Sequence, residues 1–229
     1  MFFRFAEASN DPSYSLTHSF TQKIVPIFGA GKSTAMSYIE ERLRDAGVDL
    51  ICTREPGGTS LGEQLRETLL APTEAGIAPL AELLMMFAAR AQHLSECILP
   101  ALRRGQWVLC DRFTDATYAY QGAGRNMGEA PVALLEEFVQ GDLRPDVTLL
   151  LDVPADLGLS RARGRGALDR FELEDLAFFE RVRQSYLSRA RRSSGRYQII
   201  DASAELADVE RALQAVVKDL IACPPLVTD

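Results

Sequence analysis

The strongest chemical signal in this 229-residue chain is a glycine-rich stretch that follows a short apolar run beginning at Ile24. Its six residues are Gly29, Ala30, Gly31, Lys32, Ser33 and Thr34. Glycines let backbone N–H groups curl around phosphate oxygens, and the N-terminus of a following helix favours negative charge. The lysine can reach the outer phosphates of a nucleoside triphosphate, and the Ser33 hydroxyl can ligate Mg²⁺. We therefore expect a nucleotide site here; the simpler alternative is a helix N-terminus capped by Ser33.

The entry to this stretch departs from the complete phosphate-binding pattern. That pattern is Gly-x-x-x-x-Gly-Lys-Ser/Thr, and its first glycine would fall where the chain has Pro26. Proline fixes φ and carries no N–H donor. Because the end of the loop is present without its usual start, we expect weakened ATP binding.

Length and composition indicate a globular domain large enough for a substantial core. The chain is 47% hydrophobic and 25% charged, and its net charge of −7 argues against non-specific nucleic-acid binding. The four cysteines form no Cys-x-x-Cys pair, so neither a zinc site nor a disulfide framework is expected. No run approaches the ~20 apolar residues of a membrane span, and no signal-peptide pattern opens the chain. We expect a cytoplasmic protein.

Apolar runs without alternation, separated by helical periodicity, predict a parallel sheet with helices on both faces. The expected strands are the run from residue 24 and residues 48–53, 107–110, 146–153 and 196–200. The expected helices run from 32 to a stop at Gly47 and over 61–70, 80–104, 115–121, 131–139, 155–162, 173–191 and 204–221. Residues 122–124 are predicted as loop, and Pro100 should bend the helix over 80–104. We expect one domain over 23–222, with an atypical leader at 1–22 and a tail at 223–229.

Two polar clusters follow predicted strands, where ligands bind in parallel sheets. Asp111 ends one strand, where a carboxylate can hold Mg²⁺ beside phosphates, and Arg112 offers a forked donor to a second phosphate. The alternative is a salt-bridged pair at a strand end. Residues 54–59 form a glycine-containing loop, whose Arg54 and Glu55 we expect to line an anionic site; the alternative is a tight turn with a surface ion pair.

Further candidates lie on the predicted helices and in a glycine-broken segment. Phe87 and Arg90 share one helix face, so an aromatic ring and a planar donor lie together and are suited to a base; the alternative for Phe87 is plain core. Thr117, Tyr120 and Gln121 form a second polar–aromatic cluster, for which the alternative is ordinary helix surface. Four arginines lie close together and predict a mobile lid over about 160–172 or, alternatively, a solvated basic face: Arg161, Arg163, Arg165 and Arg170.

Four segments that contain most of these candidate residues resemble the sequences of bacterial thymidylate kinases, a family of P-loop nucleoside monophosphate kinases. They are residues 53–59 (TREPGGT), 87–93 (FAARAQH), 111–122 (DRFTDATYAYQG) and 161–170 (RARGRGALDR). The resemblance runs from about Phe28 to the last helix. It implies a five-stranded parallel sheet, an arginine-rich lid, a homodimer, Mg²⁺, and transfer of phosphate from ATP to dTMP.

The resemblance also implies roles for residues around the phosphates. Lys32 and Ser33 would serve the ATP phosphates and metal, while Arg112 and Arg54 would hold the phosphate of dTMP with help from Arg66. Two lid arginines would complete the site, and the candidates are Arg163 and Arg165.

For the base and sugar, the resemblance implies a second set of contacts. Phe87 would stack on thymine, Arg90 would bond its O4, and Thr117 and Gln121 would bond the base edge. Tyr120 would pack against the sugar and disfavour a 2′-hydroxyl.

The start of the chain departs from the family pattern, because Val25, Pro26 and Phe28 stand where a glutamate, a glycine and an acidic residue are expected. One hypothesis is that residues 6–28 are a frame-shifted version of the usual start, which resequencing the coding DNA would test. The alternatives for function are another nucleoside monophosphate kinase, or a catalytically impaired nucleotide-binding dimer with an altered P-loop entry.

Overall fold

The sheet consists of parallel strands whose carboxyl ends meet at one edge. The computed structural model describes residues 21–26, 31–72, 74–164, 169–193 and 195–222. The described strands are β1 (Thr21–Pro26), β2 (Leu50–Arg54), β3 (Trp107–Asp111), β4 (Val147–Asp152) and β5 (Tyr197–Asp201). They pair in the order β2-β3-β1-β4-β5, and every pairing is parallel. The β2–β3 register sets Arg54 opposite Asp111, so two predicted site residues lie side by side.

Helices connect and cover these strands. The described α-helices are α1 (Lys32–Asp45), α2 (Ser60–Leu70), α3 (Pro79–His93), α4 (Leu99–Arg103), α5 (Thr114–Thr117), α6 (Ala130–Gln140), α7 (Ala155–Arg163), α8 (Leu176–Arg192) and α9 (Leu206–Ala222). Within the described part of the chain, no helix is both long and apolar enough to cross a bilayer.

Both faces of the sheet are buried, as alternate residues of β3 demonstrate. Leu109 packs with Ile39 and Leu43 of α1, whereas Val108 and Cys110 pack on the other face beside Ile98. Successive side chains of a strand point to opposite faces, so apolar residues at consecutive positions require cover on both. The predicted parallel sheet covered on both faces is confirmed.

Two predicted elements differ from the structure. The helix expected over 80–104 is divided into α3, a π-helical turn (Leu94–Ile98) and α4. Pro100 lies in the first turn of α4, and its missing N–H removes a bond to the preceding turn, which the wider π turn accommodates. The loop expected at 122–124 is wrong, because a second π-helical turn (Tyr118–Gly124) continues α5.

Candidate active site

The lysine of the predicted phosphate-binding stretch lies beside the predicted strand-end carboxylate. Gly31 precedes α1 with φ of 74°, a left-handed conformation that glycine adopts readily, and Lys32 is the first residue of the helix. Lys32 Nζ lies 2.7 Å from Asp111 Oδ2 at the end of β3. Ser33 and Thr34 follow in the exposed first turn of α1. Gly29 and Ala30 lie outside the described residues.

Positive charge gathers around this ion pair. Burial and then the charge of Arg112 lower the pKa of Lys32 below its ordinary value, Asp111 opposes this effect, and Arg66 adds to the lowering. Burial also lowers the pKa of Arg66, followed by the charges of Arg54 and Arg112. Cations that disfavour one another's charge across a cleft are stabilised when an anion binds between them. The cluster is therefore suited to phosphate groups.

Arg112 itself has an unusual backbone conformation, with φ of 67°. Residues other than glycine seldom adopt positive φ, and such outliers concentrate at functional sites. Its guanidinium lies over the ring of Tyr120, 4.7 Å from the centroid. The backbone therefore turns sharply after Asp111, and the Arg112 side chain packs on a residue predicted to contact the sugar.

The donor atoms beside Lys32 fit a magnesium ion. Asp111 Oδ1 is buried and has no hydrogen-bond partner among the described residues, while Oδ2 faces Lys32. Mg²⁺ prefers oxygen ligands and commonly takes one or two carboxylates together with phosphate oxygens and water. Within the described residues, no group of three or more acidic, histidine or cysteine side chains is placed to hold a metal ion. Asp111 and Ser33 are the residues that would hold the ion.

The loop after β2 is fixed by its own polar contacts. Arg54 NH2 lies 2.8 Å from Glu63 Oε2 of α2, and the N–H of Gly58 donates to the other oxygen of the same carboxylate. Arg66 donates to the carbonyl of Pro56 at 3.0 Å. A Cβ on Gly58 would lie 2.5 Å from Thr53 Oγ1, so only glycine allows this approach. These contacts hold Arg54, the last residue of β2, and Arg66 of α2 beside the cationic cleft.

Arg90 is buried among several predicted base-contacting residues. Its Nε donates to Glu55 Oε2 at 2.8 Å, and its NH2 donates to Thr117 Oγ1 at 3.0 Å. Its NH1 is buried without a hydrogen-bond partner in the described structure. The ring of Phe87, itself in a core cluster, lies 4.7 Å below the guanidinium. Because an unmade buried hydrogen bond is costly, NH1 is a donor suited to a ligand oxygen.

Tyr120 and Gln121 lie on the π-helical turn after α5, and both side chains are buried. The hydroxyl of Tyr120 has no hydrogen-bond partner in the described structure. Gln121 Nε2 donates to Glu82 Oε1 at 2.8 Å. The structure thus brings these two residues into the same region as Arg112 and Arg90.

The predicted lid arginines lie in different places. Arg163 is the exposed last residue of α7, and Arg165 lies outside the described residues. Arg161 donates to the carbonyl of Ala202 at 2.7 Å and lines a cavity of about 440 Å³ together with Gly31 and Thr34. Arg170 instead lies beside α3, with NH2 2.7 Å from Glu82 Oε2.

Three buried polar residues near the site were not identified from sequence: Glu82, His93 and Asp115. Glu82 and His93 are eleven residues apart, which is about three helical turns, so they lie on the same face of α3 as buried Ala89. A polar residue at a position where the helical period predicts a buried apolar residue is the signal that could have identified them. Asp115 pairs with Arg189 and Arg196, which are distant in sequence and give no local signal.

A parallel α/β fold with a glycine–lysine–serine helix start, a carboxylate on the neighbouring strand and a cationic cleft defines the class of P-loop nucleotide kinases. Comparison with known proteins narrows the class. The family model described as thymidylate kinase matches residues 27–213. The chain belongs to the thymidylate kinase family.

Individual relatives agree with the family match. A thymidylate kinase of Pseudomonas entomophila (strain L48) is 58% identical over 193 residues, which cover 84% of this chain and 92% of the relative. Thymidylate kinases of Pseudomonas syringae pv. tomato (strain ATCC BAA-871 / DC3000) and Pseudomonas putida (strain W619) are 57% and 58% identical over the same length of this chain. The predicted resemblance is confirmed.

Proposed function

We propose that the chain transfers the γ-phosphoryl group of ATP to dTMP, giving dTDP and ADP for dTTP synthesis. The observation that carries this proposal is that Lys32 pairs with Asp111 and that Arg112 follows directly, so one cleft holds phosphate-binding groups for a donor and an acceptor. The relatives' name, thymidylate kinase, supports dTMP as the acceptor.

On the donor side, Gly29, Ala30 and Gly31 are the residues whose backbone N–H groups would contact the ATP phosphates, and Lys32 would neutralise the outer charge of these phosphates. Ser33 and Asp111 are the residues that would hold Mg²⁺, which would supply positive charge to the transferring phosphoryl group. The cavity beside Arg161 opens next to Gly31 and Thr34, and its size and position suit the adenosine portion. The altered entry at Pro26 weakens this half of the site.

On the acceptor side, Arg112, Arg54 and Arg66 hold the phosphate of dTMP in line with the donor. This acceptor is already an anion near neutral pH, so no general base is required. The protein's contribution is therefore positioning and charge stabilisation. Arg163 and Arg165 of the predicted lid are the candidates that would supply positive charge to the transferring group.

The base and sugar are selected by buried groups that still have bonding capacity. Arg90 NH1 donates to O4 of thymine, and its fixed bonds to Glu55 and Thr117 hold it in place. Phe87 stacks on the ring, and Gln121 bonds the base edge. Tyr120 packs against the sugar, so that a 2′-hydroxyl would be excluded.

We further propose a cytoplasmic homodimer. Three free cysteines among the described residues are consistent with a reducing compartment. On α6, Leu134 and Phe138 are 72% and 86% exposed and one turn apart, which is unusual for large apolar side chains on a monomer. Leu80 and Leu84 repeat this pattern on α3, which packs against α6. A second copy covering these helices would bury all four side chains.

A coupled ADP-release assay on the purified chain tests the function. With ATP and Mg²⁺ present, dTMP should give the highest kcat/KM among dTMP, dUMP, dCMP and GMP, and Lys32→Met should abolish turnover. A different preferred acceptor would favour another nucleoside monophosphate kinase. ATP binding without transfer to any acceptor would favour the impaired nucleotide-binding alternative. A raised KM for ATP is expected from the altered entry.

A further inference from the structure

Glu82 on α3 is a fully buried carboxylate that contacts three side chains from elsewhere in the chain. Its Oε1 accepts from Gln121 Nε2 at 2.8 Å and from Arg125 Nε at 3.2 Å. Its Oε2 lies 2.7 Å from Arg170 NH2 and 3.2 Å from Arg125 NH2. A buried charge is costly unless it is paired, and here two arginines and one amide compensate for it.

This arrangement determines which end of the Gln121 amide faces Glu82. A carboxylate paired with two arginines accepts hydrogen bonds and donates none, so the amide must present its NH2 group to Glu82. The carbonyl oxygen of Gln121 is then directed away from the carboxylate. Gln121 therefore offers an acceptor, rather than a donor, to whatever lies on its other side.

We propose that Glu82 is a positioning residue which fixes the Gln121 amide, so that the site accepts a pyrimidine with a hydrogen on N3 and rejects one without it. This inference rests on the proposed function, which sets Gln121 against the base edge. Thymine and uracil carry a donor at N3, whereas the same atom of cytosine is an acceptor. Arg125 and Arg170 form ion pairs with Glu82 and hold its carboxylate in place.

Cytosine could be accommodated only if the amide of Gln121 rotated by half a turn. Rotation would bring the carbonyl oxygen against the Glu82 carboxylate, so two buried acceptors would face each other without a proton between them. The cost of one unsatisfied buried polar group corresponds to a discrimination of about tenfold to a hundredfold. Arg90 discriminates separately at the neighbouring ring position.

The test compares dUMP with dCMP, which both lack the 5-methyl group, in the wild-type protein and in Glu82→Gln. A glutamine at position 82 can either accept from or donate to Gln121, so both orientations of the amide become available. We expect the ratio of kcat/KM for dUMP to that for dCMP to fall about tenfold, while the part due to Arg90 remains. An unchanged ratio in a folded Glu82→Gln variant overturns the proposal.

A residue exchange separates positioning from folding. In the double variant Glu82→Gln with Gln121→Glu, the new amide donates to the new carboxylate, whose second oxygen accepts from N3–H. We expect the double variant to regain the wild-type ratio of kcat/KM for dUMP to kcat/KM for dCMP. Its kcat/KM for dUMP should be about tenfold higher than that of Gln121→Glu alone, because the single variant places two carboxylates against each other. Equal values in these two variants overturn the proposal even if Glu82→Gln does not fold. Absence of dTMP turnover in the wild type would instead refute the proposed function.

Discussion

At the scale of single residues, the two carboxylate oxygens of Asp111 lie in different environments. One oxygen pairs with Lys32, and the other is buried without a partner in the described structure. A charge-paired carboxylate with a free oxygen holds a lysine in place and still has a ligand for a hard cation. Asparagine at position 111 would preserve the shape of the side chain and remove its negative charge. This substitution therefore tests the role of the charge directly.

We expect Asp111→Asn to lower kcat by roughly a hundredfold or more and to raise the Mg²⁺ concentration needed for half-maximal rate, because both charge stabilisation and metal ligation are lost. The melting temperature should change little, since the Lys32 and Asp111 side chains are partly exposed, at 29% and 17%. Initial rates over a Mg²⁺ titration measure the effect.

Asp152→Asn is the matched control for this experiment. Asp152 also ends a strand, but it pairs with Arg183 of α8 at 2.8 Å and 2.9 Å rather than with Lys32. Its Mg²⁺ dependence should match the wild type. A wild-type rate and Mg²⁺ dependence in Asp111→Asn would contradict the assignment of Asp111 to the metal.

Sequence reasoning identified residues that belong to short motifs at strand ends, but it did not predict the partners of Arg170 or Asp115. Lys32, Asp111 and Arg112 lie in strings at strand ends, where the parallel fold itself predicts that they meet. Arg170 donates to the carbonyl of Leu69 across 101 residues of chain, and Asp115 bonds Arg196 across 81. Such pairs follow from packing rather than from any local period, so the sequence alone does not predict them.

At the scale of elements, a buried polar contact joins α3 to the end of β2. His93 Nδ1 lies 3.0 Å from Glu55 Oε1, and His93 Nε2 lies 2.7 Å from Thr53 Oγ1. Burial lowers the pKa of His93, but contacts with Cys97 and Glu55 outweigh burial and raise the pKa to about 9, from an ordinary value of 6.5. The imidazole is therefore held as a cation between the two elements.

This contact makes stability depend on pH. Below pH 6.5, His93 is protonated in the folded and the unfolded state, and its contribution to the free energy of unfolding is complete. Between pH 6.5 and about 9, only the folded state keeps the proton, so the free energy of unfolding falls as pH rises. The difference corresponds to an upper bound of roughly 3 kcal/mol in the free energy of unfolding. Denaturant unfolding at pH 6, 7.5 and 9 measures it, and His93→Gln should flatten the profile. Equal slopes in both proteins would contradict the prediction.

Element types were easier to predict than their continuity. Helix periodicity over 80–104 correctly predicted helical structure along this segment. The π-helical turn before Pro100 arises from a missing backbone hydrogen bond, which apolar periodicity does not indicate. At Gly124 the glycine indicated a loop, but a Cβ there would lie 2.6 Å from the ring of Phe178. That glycine serves close packing of the π-helical turn on α8, and tertiary contact outweighs local propensity.

At the scale of the whole molecule, the two most exposed large apolar side chains among the described residues both lie on α6. Val132 and Leu135 of α6 pack inward against Leu83 of α3, while Leu134 and Phe138 are directed away from this cluster. A helix with apolar residues on more than one face requires cover on each. The second face of α6 is therefore the surface on which the proposed dimer depends.

Phe138→Asp should convert the protein from dimer to monomer, because it would desolvate a charge at the centre of the proposed interface. Light scattering after size-exclusion chromatography, at several protein concentrations, measures the mass directly. Ile221→Asp on α9 is the control, since Ile221 is a partly exposed apolar residue, at 39%, on a helix that packs against α1 instead. Its mass should equal that of the wild type. A monomeric wild type would refute the proposed dimer. A Phe138→Asp protein that remains dimeric would show that the interface lies on another surface.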